Sequence, residues 1–330
     1  MENGTFSGEN AANSSDAKTT PLYRSKNLVF AFMALYVLLA LLIITGNTLV
    51  VVAFRKIRLR NAINMFFVSL AISDLLVGAV SIPLWIYYLS CPYFTSCVNT
   101  NELVIEFYQG FDVFSALASI SNLVAISVER YFAICWPVQH RISSFTRYYL
   151  MIFATWSYSV IVTVVYSMDL SATWKGKNYR GSLVFAAGFV IPLVIITAMY
   201  SSIYRSVRSM NAHWKRTNAK RSVLRNSVQR EKRTATTVGI VTILFVVAWL
   251  PFFVVSLMWS FDRPSLPYGG GFTRLMDFIK WMHYSNSAVN PVVYAYRSEE
   301  IRRMLVKLVL RVMGRGKENP GVVRPGNRNC

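Results

Sequence analysis

Charge is scarce in this chain. Only 15% of its 330 residues are Asp, Glu, Lys or Arg, whereas about a quarter of the residues in a soluble globular domain are charged. Hydrophobic residues make up 54% of the chain, and the formal net charge is +20. The basic residues stand in short stretches between long apolar runs, which favours loops beside anionic lipids over a nucleic-acid-binding face. We therefore expect a membrane protein that contacts lipid and binds no nucleic acid.

Cysteine and histidine are scarce too. Four cysteines without a CxxC pair, and three histidines in all, argue against a zinc-type metal centre. The sequence also shows no paired catalytic carboxylates and no Ser/Lys arrangement of the kind that an intramembrane enzyme needs. We therefore expect neither an enzyme nor a bound cofactor.

What the chain has in abundance is long apolar runs. Seven of them approach or exceed the roughly 20 helical residues that a bilayer core of about 30 Å requires: 28–54, 62–89, 102–134, 147–168, 182–205, 233–259 and 272–296. The alternation of a β-barrel is absent, and no internal repeat indicates an inverted-repeat transporter. The sequence predicts an all-α membrane protein in which residues 28–296 form a seven-transmembrane helix bundle.

The two termini are predicted to lie on opposite sides of the plasma membrane. Residues 1–27 are polar, lack the apolar core of a signal peptide, and contain N-glycosylation acceptors at Asn3 and Asn13. The loop after the first span, the stretch between the fifth and sixth spans and the tail 297–330 are basic, whereas the alternate loops carry few cations. The positive-inside rule therefore places the N-terminus outside and the C-terminus in the cytoplasm.

The tail begins with a predicted amphipathic helix, "SEEIRRMLVKLVL". Ile301, Leu305, Leu308 and Val309 recur at helical spacing, with basic residues between them. Such a helix is expected to lie on the inner surface of the membrane.

The third run contains a carboxylate. In "FYQGFDVFSALASI", residues 107–120, Asp112 stands among apolar residues. Burying an unpaired carboxylate is costly. Asp112 therefore needs a partner, which can be another side chain, a proton or a group from outside the protein.

Further polar residues lie within the spans, where each is a candidate for a functional site. Asn47, Asp74, Ser119, Asn286 and Asn290 are expected to form a hydrogen-bonded cluster at the centre of the bundle. Asp74 and Ser119 offer oxygen ligands to a small hard cation such as sodium. A purely structural network that holds the helices in register needs the same residues, so both roles stay open.

The third run ends in Glu129-Arg130-Tyr131, and Glu231 stands at the start of the sixth run. Two carboxylates that compete for Arg130 make a latch, closed when Glu231 pairs with Arg130 and open when it is released. The alternative is an ordinary interfacial ion pair, worth about 1 kcal/mol or less.

Prolines and aromatic residues add mechanical features. Pro192, Pro251 and Pro291 each remove a helical hydrogen bond and favour a kink. Trp249 comes just before Pro251 and stands near three other aromatic residues: Phe245, Phe252 and Phe253. Aromatic residues at helical spacing more often form a core than a ligand site.

Six short motifs follow one another along the spans: "TGN", "LAISD", "SVERY", "FVIP", "AWLPFF" and "NPVVY". Each motif alone is a weak signal, but their joint order and spacing are specific. From about residue 28 to residue 310 the chain closely resembles the rhodopsin-like (class A) G-protein-coupled receptors. The resemblance implies a receptor that binds an extracellular ligand and activates a heterotrimeric G protein, with arrestin and receptor kinases as further partners.

The resemblance also implies roles for individual residues. Trp249 is implied to sense the ligand. The implied activation switch comprises Glu129, Arg130, Tyr131, Tyr200, Glu231, Pro251, Pro291 and Tyr294. The implied contacts with the G protein are Arg130, Pro137 and Val138. The implied allosteric sodium ion has as ligands Asp74, Ser119, Asn286 and Asn290.

Asp112 receives a role from the same resemblance. It precedes Arg130 by 18 residues, which is five helical turns and about 27 Å, so both lie on one helix face and Asp112 lies in the outer third of the bundle. Biogenic-amine receptors have an aspartate there, and in their last span a Trp and a Tyr that match Trp281 and Tyr284, the tyrosine hydroxyl bonding the aspartate. A small cationic amine is expected to combine charge pairing with cation–π contact. The expected ligand site comprises Asp112, Val113, Ala116, Trp249, Phe252, Phe253, Lys280, Trp281 and Tyr284.

Some residues depart from the family pattern. Ile105 stands where the family has the cysteine that ties the third span to the second extracellular loop, and that loop, "DLSATWKGKNYRGS", contains no cysteine. Cys91 and Cys97 are expected to close a small local loop instead. Val184, Phe185 and Gly188 stand where serines meet catechol hydroxyls, so we expect a less hydroxylated arylamine and not a catecholamine.

Lys280 departs most. It lies four residues before Tyr284 on the same helix face, within reach of Asp112. Three roles are open to it: neutralising Asp112, binding the carboxylate of a zwitterionic or peptide ligand, or snorkelling to the outer interface. Retinal is not expected, because Tyr284 fills the position of the opsin lysine. His283, where amine receptors usually have a small residue, narrows or polarises the pocket.

Other functions stay open from the sequence alone. Within the receptor class, the ligand can be a peptide, a nucleoside, a lipid or an acidic metabolite. A transporter or channel would use the intramembrane carboxylates as an ion path, although repeats and broken-helix pairs are missing. The leading expectation is a plasma-membrane receptor for a small cationic amine.

Overall fold

The architecture is that of a computed structural model of the chain. It describes residues 26–56, 62–91, 102–168, 179–217, 222–261 and 270–297, together with 302–303, 306–307 and 310. The helices within these ranges are α1 (Lys26–Lys56), α2 (Ala62–Leu76), α3 (Ile82–Ser90), α4 (Glu102–Cys135), α5 (Pro137–Ile142), α6 (Phe145–Ser167), α7 (Tyr179–Phe185), α8 (Ile191–Thr217), α9 (Ser222–Phe261) and α10 (Gly270–Arg297).

Within the described ranges, two spans are interrupted by a π-helical turn. Val77–Ser81 joins α2 to α3, and Ala186–Val190 joins α7 to α8. Each turn is followed two residues later by a proline, Pro83 or Pro192. Proline lacks an N–H group and crowds the carbonyl four residues earlier, and the wider π turn accommodates this. A π turn contains one residue more than an α-helical turn, so the side chains that follow it are rotated by about 100° relative to an unbroken α-helix.

Every predicted span is helical. The segments α1, α2–α3, α4, α6, α7–α8, α9 and α10 cover the seven predicted spans in order. Among the described residues, five segments are long and apolar enough to cross a membrane, and α9 contains a shorter apolar stretch, Thr242–Met258. α10 is less apolar because it contains several polar residues. Their side chains are buried within the bundle and so do not face lipid: Asp277, Lys280, His283, Asn286, Ser287 and Asn290.

The helix α4 lies at the centre of the bundle, where it packs against α2, α6, α8 and α9, while α1 packs against α2, α3 and α10. The outer surface is apolar: Leu38 and Leu41 of α1, Phe153 of α6 and Ile243 of α9 are each more than half exposed. A soluble monomer rarely shows so large an apolar surface. It is the surface that a bundle in contact with acyl chains requires.

Hydrogen bonds between side chains and neighbouring helices orient the bundle. The side-chain amide of Asn47 donates to the carbonyl of Ser287 at 3.1 Å and so links α1 to α10. The indole of Trp156 donates to the hydroxyl of Ser69 at 3.0 Å and links α6 to α2. In lipid, such bonds help to fix helix positions because the surrounding acyl chains are as apolar as leucine.

The helices α8 and α9 extend beyond the predicted spans 182–205 and 233–259. α8 continues to Thr217 and α9 begins at Ser222, so the stretch expected as a basic loop is largely helical. Arginine and lysine are strong helix formers, whereas the apolar run marks only the part of a helix that faces lipid.

The described residues after α10 are helical and exposed: Arg302, Arg303, Val306, Lys307 and Leu310. The apolar positions of the predicted amphipathic helix, from 301 to 309, lie outside the described residues. Its membrane-facing surface therefore stays a prediction.

Candidate functional site

Asp112 of α4 is buried, and both of its oxygens have a partner on α10. Oδ1 accepts a hydrogen bond from the hydroxyl of Tyr284 at 2.9 Å, and Oδ2 forms a salt bridge with Nζ of Lys280. Lys280 and Tyr284 are four residues apart and so lie on one helix face. Lys280 therefore neutralises Asp112 in this structure. Because Lys280 is only 9% exposed, it does not snorkel to the membrane surface.

Aromatic rings surround the ammonium group of Lys280. Its Nζ lies 5.1 Å from the ring centroids of Phe252 and Tyr284, and 5.6 Å from those of Trp85 and Tyr108. Rings within about 6 Å attract a cation through their negative faces. We call this set the ammonium cage: Asp112, Trp85, Tyr108, Phe252 and Tyr284.

Two residues of the ammonium cage are absent from the predicted ligand site. Tyr108 precedes Asp112 by one helical turn, and its hydroxyl lies 3.2 Å from that of Tyr284; the four-residue spacing was the available signal. Trp85 reaches the site from α3, with its ring stacked on Tyr108 at a centroid distance of 5.9 Å. The direction in which the Trp85 side chain points depends on the π turn before α3, and this turn was not predicted from the sequence.

A cavity of about 10 Å³ lies beside Asp112. This volume is close to the minimum for one water molecule, so a ligand requires side chains to move. The lining consists of six residues of the predicted ligand site, Asp112, Val113, Ala116, Trp249, Phe252 and Phe253, together with Leu117, Ile120, Val184, Gly188 and His283.

His283 connects the ammonium cage with Trp249. Its ring centroid is 3.8 Å from that of Trp249, 4.9 Å from that of Tyr284 and 5.0 Å from that of Phe252. Trp249 in turn stacks on Phe253 at 5.4 Å. Movement of Tyr284 or Phe252 therefore reaches Trp249 through direct ring contacts.

Trp281 stands one helical turn before Tyr284 on α10. Its ring stacks on Phe278 at a centroid distance of 6.4 Å, and it packs against the buried cluster that contains Tyr36 and Tyr284. A direct part for Trp281 in ligand binding stays a prediction.

Asp74, Ser119 and Asn290 meet at the centre of the bundle. Asp74 is fully buried; its Oδ1 accepts from the hydroxyl of Ser119 at 3.1 Å and its Oδ2 from the amide of Asn290 at 2.7 Å. Asn286 is buried one turn earlier on α10. Carboxylate and hydroxyl oxygens suit a hard cation, and the same bonds hold three helices in register, so both predicted roles stay open.

Glu129 and Arg130 are buried at the other end of α4, where they form a salt bridge with each other. Nε2 of His140, on the short helix α5, lies 2.8 Å from Oε1 of Glu129. His140 was not predicted from the sequence, since no local spacing relates it to Glu129. Glu231 belongs to α9, but its side chain is not among those described, so the latch between Arg130 and Glu231 stays a prediction.

Of the remaining switch residues, Tyr131 and Tyr200 lie at this end of the bundle. Tyr131 packs against the cluster of Ile134, Ile203 and Val207, and the ring of Tyr200 faces Gly239 of α9. α9 and α10 remain helical through Pro251 and Pro291. The side chain of Tyr294 lies outside the described set.

Of the three predicted G-protein contacts, Arg130 lies on α4, and Pro137 and Val138 lie on α5. Pro137 begins this helix, and Val138 is 73% exposed, so an apolar side chain projects from the end of the bundle that holds Arg130.

Three predicted modification sites fall outside the described residues: Asn3, Asn13 and Cys97. Cys91, directly after α3, is buried. The glycosylation and the disulfide between Cys91 and Cys97 therefore stay predictions.

A bundle of membrane-spanning helices with a caged ammonium at one end and a buried arginine at the other has the architecture of a multi-pass membrane receptor. The model of the 7 transmembrane receptor (rhodopsin family) matches residues 46–294. The chain therefore belongs to this family: it is a G-protein-coupled receptor, not an enzyme, and the predicted all-α seven-helix fold is confirmed.

Several similar proteins are named as trace amine-associated or dopamine receptors. Trace amine-associated receptor 13c of Danio rerio is 27% identical, over 91% of this chain and 90% of that protein. Trace amine-associated receptor 1 of Macaca mulatta is 28% identical, over 84% and 87%. The D(1A) dopamine receptor of Xenopus laevis is 28% identical, over 82% and 70%. The predicted resemblance to the biogenic-amine group is thereby confirmed.

Proposed function

We propose that this receptor binds a ligand with a protonated amine and that Asp112 is the counter-ion of that amine. The observation that carries the proposal is the ammonium cage, which already holds an ammonium group, that of Lys280, between a carboxylate and four rings. A ligand amine competes for the same contacts. The relatives named as trace amine and dopamine receptors support the same ligand class.

The rest of the ligand packs against the apolar side of the cavity. Val113, Ala116 and the rings of Trp249, Phe252 and Phe253 line it together with Asp112. Val184 and Gly188 lie in the same lining and offer no hydroxyl. These surfaces suit an arylamine with few hydroxyl groups.

Ligand binding is relayed to the G protein through α9. Displacement of rings around His283 shifts Trp249, and α9 swings at Pro251 to release Arg130 from its carboxylate partners. The G protein then binds at the end of the bundle where Pro137 and Val138 lie. Arrestin and receptor kinases bind the same cytoplasmic side after activation.

The receptor spans the plasma membrane with its N-terminus outside and carries glycans on Asn3 and Asn13. Its basic cytoplasmic stretches, including Arg302 and Arg303, contact anionic lipid heads. A sodium ion at Asp74 stabilises the inactive arrangement, with the oxygens of Ser119 and Asn290 in reach.

A panel of amines, applied to cells that express the receptor and report second messengers, tests the assignment of Asp112. The Asp112→Asn variant is expected to lose its amine response by about 100-fold or more, since a buried charge-assisted contact disappears. Glu106→Gln is the matched control, because Glu106 is an exposed carboxylate on the same helix. Cell-surface biotinylation normalises expression, and equal amine potency in wild type and Asp112→Asn contradicts the proposal.

A further inference from the structure

The ion pair between Asp112 and Lys280 gives the pocket a charge balance. Both residues are more than nine-tenths buried, with exposures of 6% and 9%. Two opposite charges in contact can be buried together, whereas removing one partner leaves an uncompensated buried charge and is strongly destabilising. A ligand that carries only an ammonium group has this effect, because it takes Asp112 and leaves Lys280 without its carboxylate.

A ligand with both an ammonium and a carboxylate avoids the imbalance. Its ammonium takes Asp112 and its carboxylate takes Lys280, so two ion pairs replace one and the site stays neutral throughout. Because the side chains of Asp112 and Lys280 are in direct contact, a ligand that bridges them must hold its two charges close together. The α-amino acid group, with both charges on one carbon, has this geometry.

We propose that the ligand of this receptor is a zwitterion of the α-amino acid type, a proposal that rests on the assignment of Asp112 as the ammonium site. Lys280 is then the binding residue for the ligand carboxylate. The apolar lining formed by Val113, Trp249 and Phe253 receives the amino acid side chain, which favours an aromatic or branched aliphatic one.

Asp277 offers Lys280 a second carboxylate. It is buried three residues earlier on α10, and its backbone carbonyl accepts a hydrogen bond from the hydroxyl of Tyr36 at 2.8 Å. If Lys280 moved to Asp277, a simple amine would leave the site neutral. Under our proposal Asp112 is the carboxylate that Lys280 exchanges for the ligand, and Asp277→Asn leaves the ligand preference unchanged.

The test compares matched pairs on the full-length receptor in cells held in amino-acid-free buffer: phenylalanine with 2-phenylethylamine, tyrosine with tyramine, and leucine with isoamylamine. Each amine is its amino acid without the carboxylate. On the wild type we expect at least one amino acid to be about 10-fold or more as potent as its amine, the size of one charge-assisted contact. A wild type on which no amino acid exceeds its amine in potency overturns the proposal.

Substitution of Lys280 provides the second arm. Lys280→Met keeps an apolar stem without the charge and is expected to reverse the order, so that the amine exceeds the amino acid by about 10-fold. Lys280→Arg keeps the charge and is expected to keep the amino acid preference. A misfolded receptor responds to neither ligand, so the amine response gained in Lys280→Met shows that this variant folds. An unchanged potency ratio in Lys280→Met also overturns the proposal.

The outcomes separate this inference from the function on which it rests. If amines activate the wild type and fail on Asp112→Asn, while amino acids show no advantage, the zwitterion proposal fails and the amine receptor stands. If Asp112→Asn responds to both members of a pair as the wild type does, the assignment of Asp112 fails. An amino acid preference that appears in Asp277→Asn but is absent from the wild type assigns the balancing role to Asp277 and contradicts the inference.

Discussion

Lys280 and Asp112 each carry a charge that is unfavourable to bury alone, and each accounts for the position of the other. The sequence named both residues and the helix face that Lys280 shares with Tyr284. It left three roles open for Lys280, because the distance between α4 and α10 is a tertiary property that no local spacing encodes. Trp85 was not predicted as a residue of the ligand site for the same reason.

The hydroxyl of Tyr284 leads to a prediction at this scale. It donates to Asp112 at 2.9 Å and lies 3.2 Å from the hydroxyl of Tyr108. Tyr284→Phe removes a hydrogen bond to a charged group, and we expect the potency of an active ligand to fall by about 10-fold or more. The measurement is a concentration–response curve at matched surface expression.

Tyr36→Phe is the control for this change. The hydroxyl of Tyr36 is also buried, but it donates to the backbone of Asp277 and not to Asp112. We expect it to leave ligand potency within about twofold, since the contacts of Asp112 are kept. Equal losses in both variants would show that any missing tyrosine hydroxyl disturbs the pocket.

Single elements were predictable where composition alone decides them. The apolar runs predicted the position of every span. In the structure α8 and α9 are longer than the predicted spans, because basic residues continue each helix beyond the lipid. The π turns before Pro83 and Pro192 were not predicted, since a proline indicates a disturbance without saying how the preceding turn responds. These turns position Trp85 and Gly188, and so part of the pocket depended on them.

Gly78, within the first π turn, permits close packing of α1 on the second span. A Cβ atom at this position would lie 2.9 Å from Cγ2 of Ile43. We expect Gly78→Ala to destabilise the receptor by about 1–3 kcal/mol through overpacking, seen as a melting temperature in detergent lower by a few degrees.

Gly239→Ala is the matched control in α9. Its Cβ would lie 3.5 Å from the ring of Tyr200, an ordinary contact, and alanine is favoured over glycine in a helix by about 0.8–1 kcal/mol. We expect an equal or higher melting temperature. A loss as large as that of Gly78→Ala would mean that helix glycines act here through something other than packing space.

The short helix α5 holds Glu129 from outside α4. His140 on this helix bonds the carboxylate that pairs with Arg130. His140→Ala is expected to raise ligand-independent signalling by roughly fivefold, because losing a hydrogen bond of about 1 kcal/mol shifts a two-state equilibrium by that factor. Gln139→Ala, an exposed neighbour on α5, controls for local disturbance, and unchanged basal output in His140→Ala contradicts the role.

For the whole molecule, the order of the motifs predicted the family, and the family model confirmed it. Between the ammonium cage and Arg130 lies the polar cluster of Asp74, Ser119 and Asn290, which touches three helices. The sequence predicted its members but not their bonds, since these depend on how far the helices approach one another. This cluster is placed to couple the two ends of the receptor.

Sodium dependence tests that coupling. Replacing N-methylglucamine chloride by sodium chloride at constant ionic strength is expected to lower agonist potency in the wild type, because the sodium ion proposed at Asp74 would favour the inactive arrangement. Asp74→Asn removes the charge and the sodium effect together. An identical sodium effect in both proteins would place the ion elsewhere.

The central claim is that Asp112 is the ligand's counter-ion and Lys280 its competitor. The most direct measurement is the potency of 2-phenylethylamine on four proteins: wild type, Asp112→Asn, Lys280→Met and the double variant. We predict a gain of about 10-fold in Lys280→Met, because the competing ammonium is gone, and a loss of about 100-fold or more in Asp112→Asn and in the double variant. A double variant that responds like Lys280→Met would contradict the account, since the amine would then bind without Asp112.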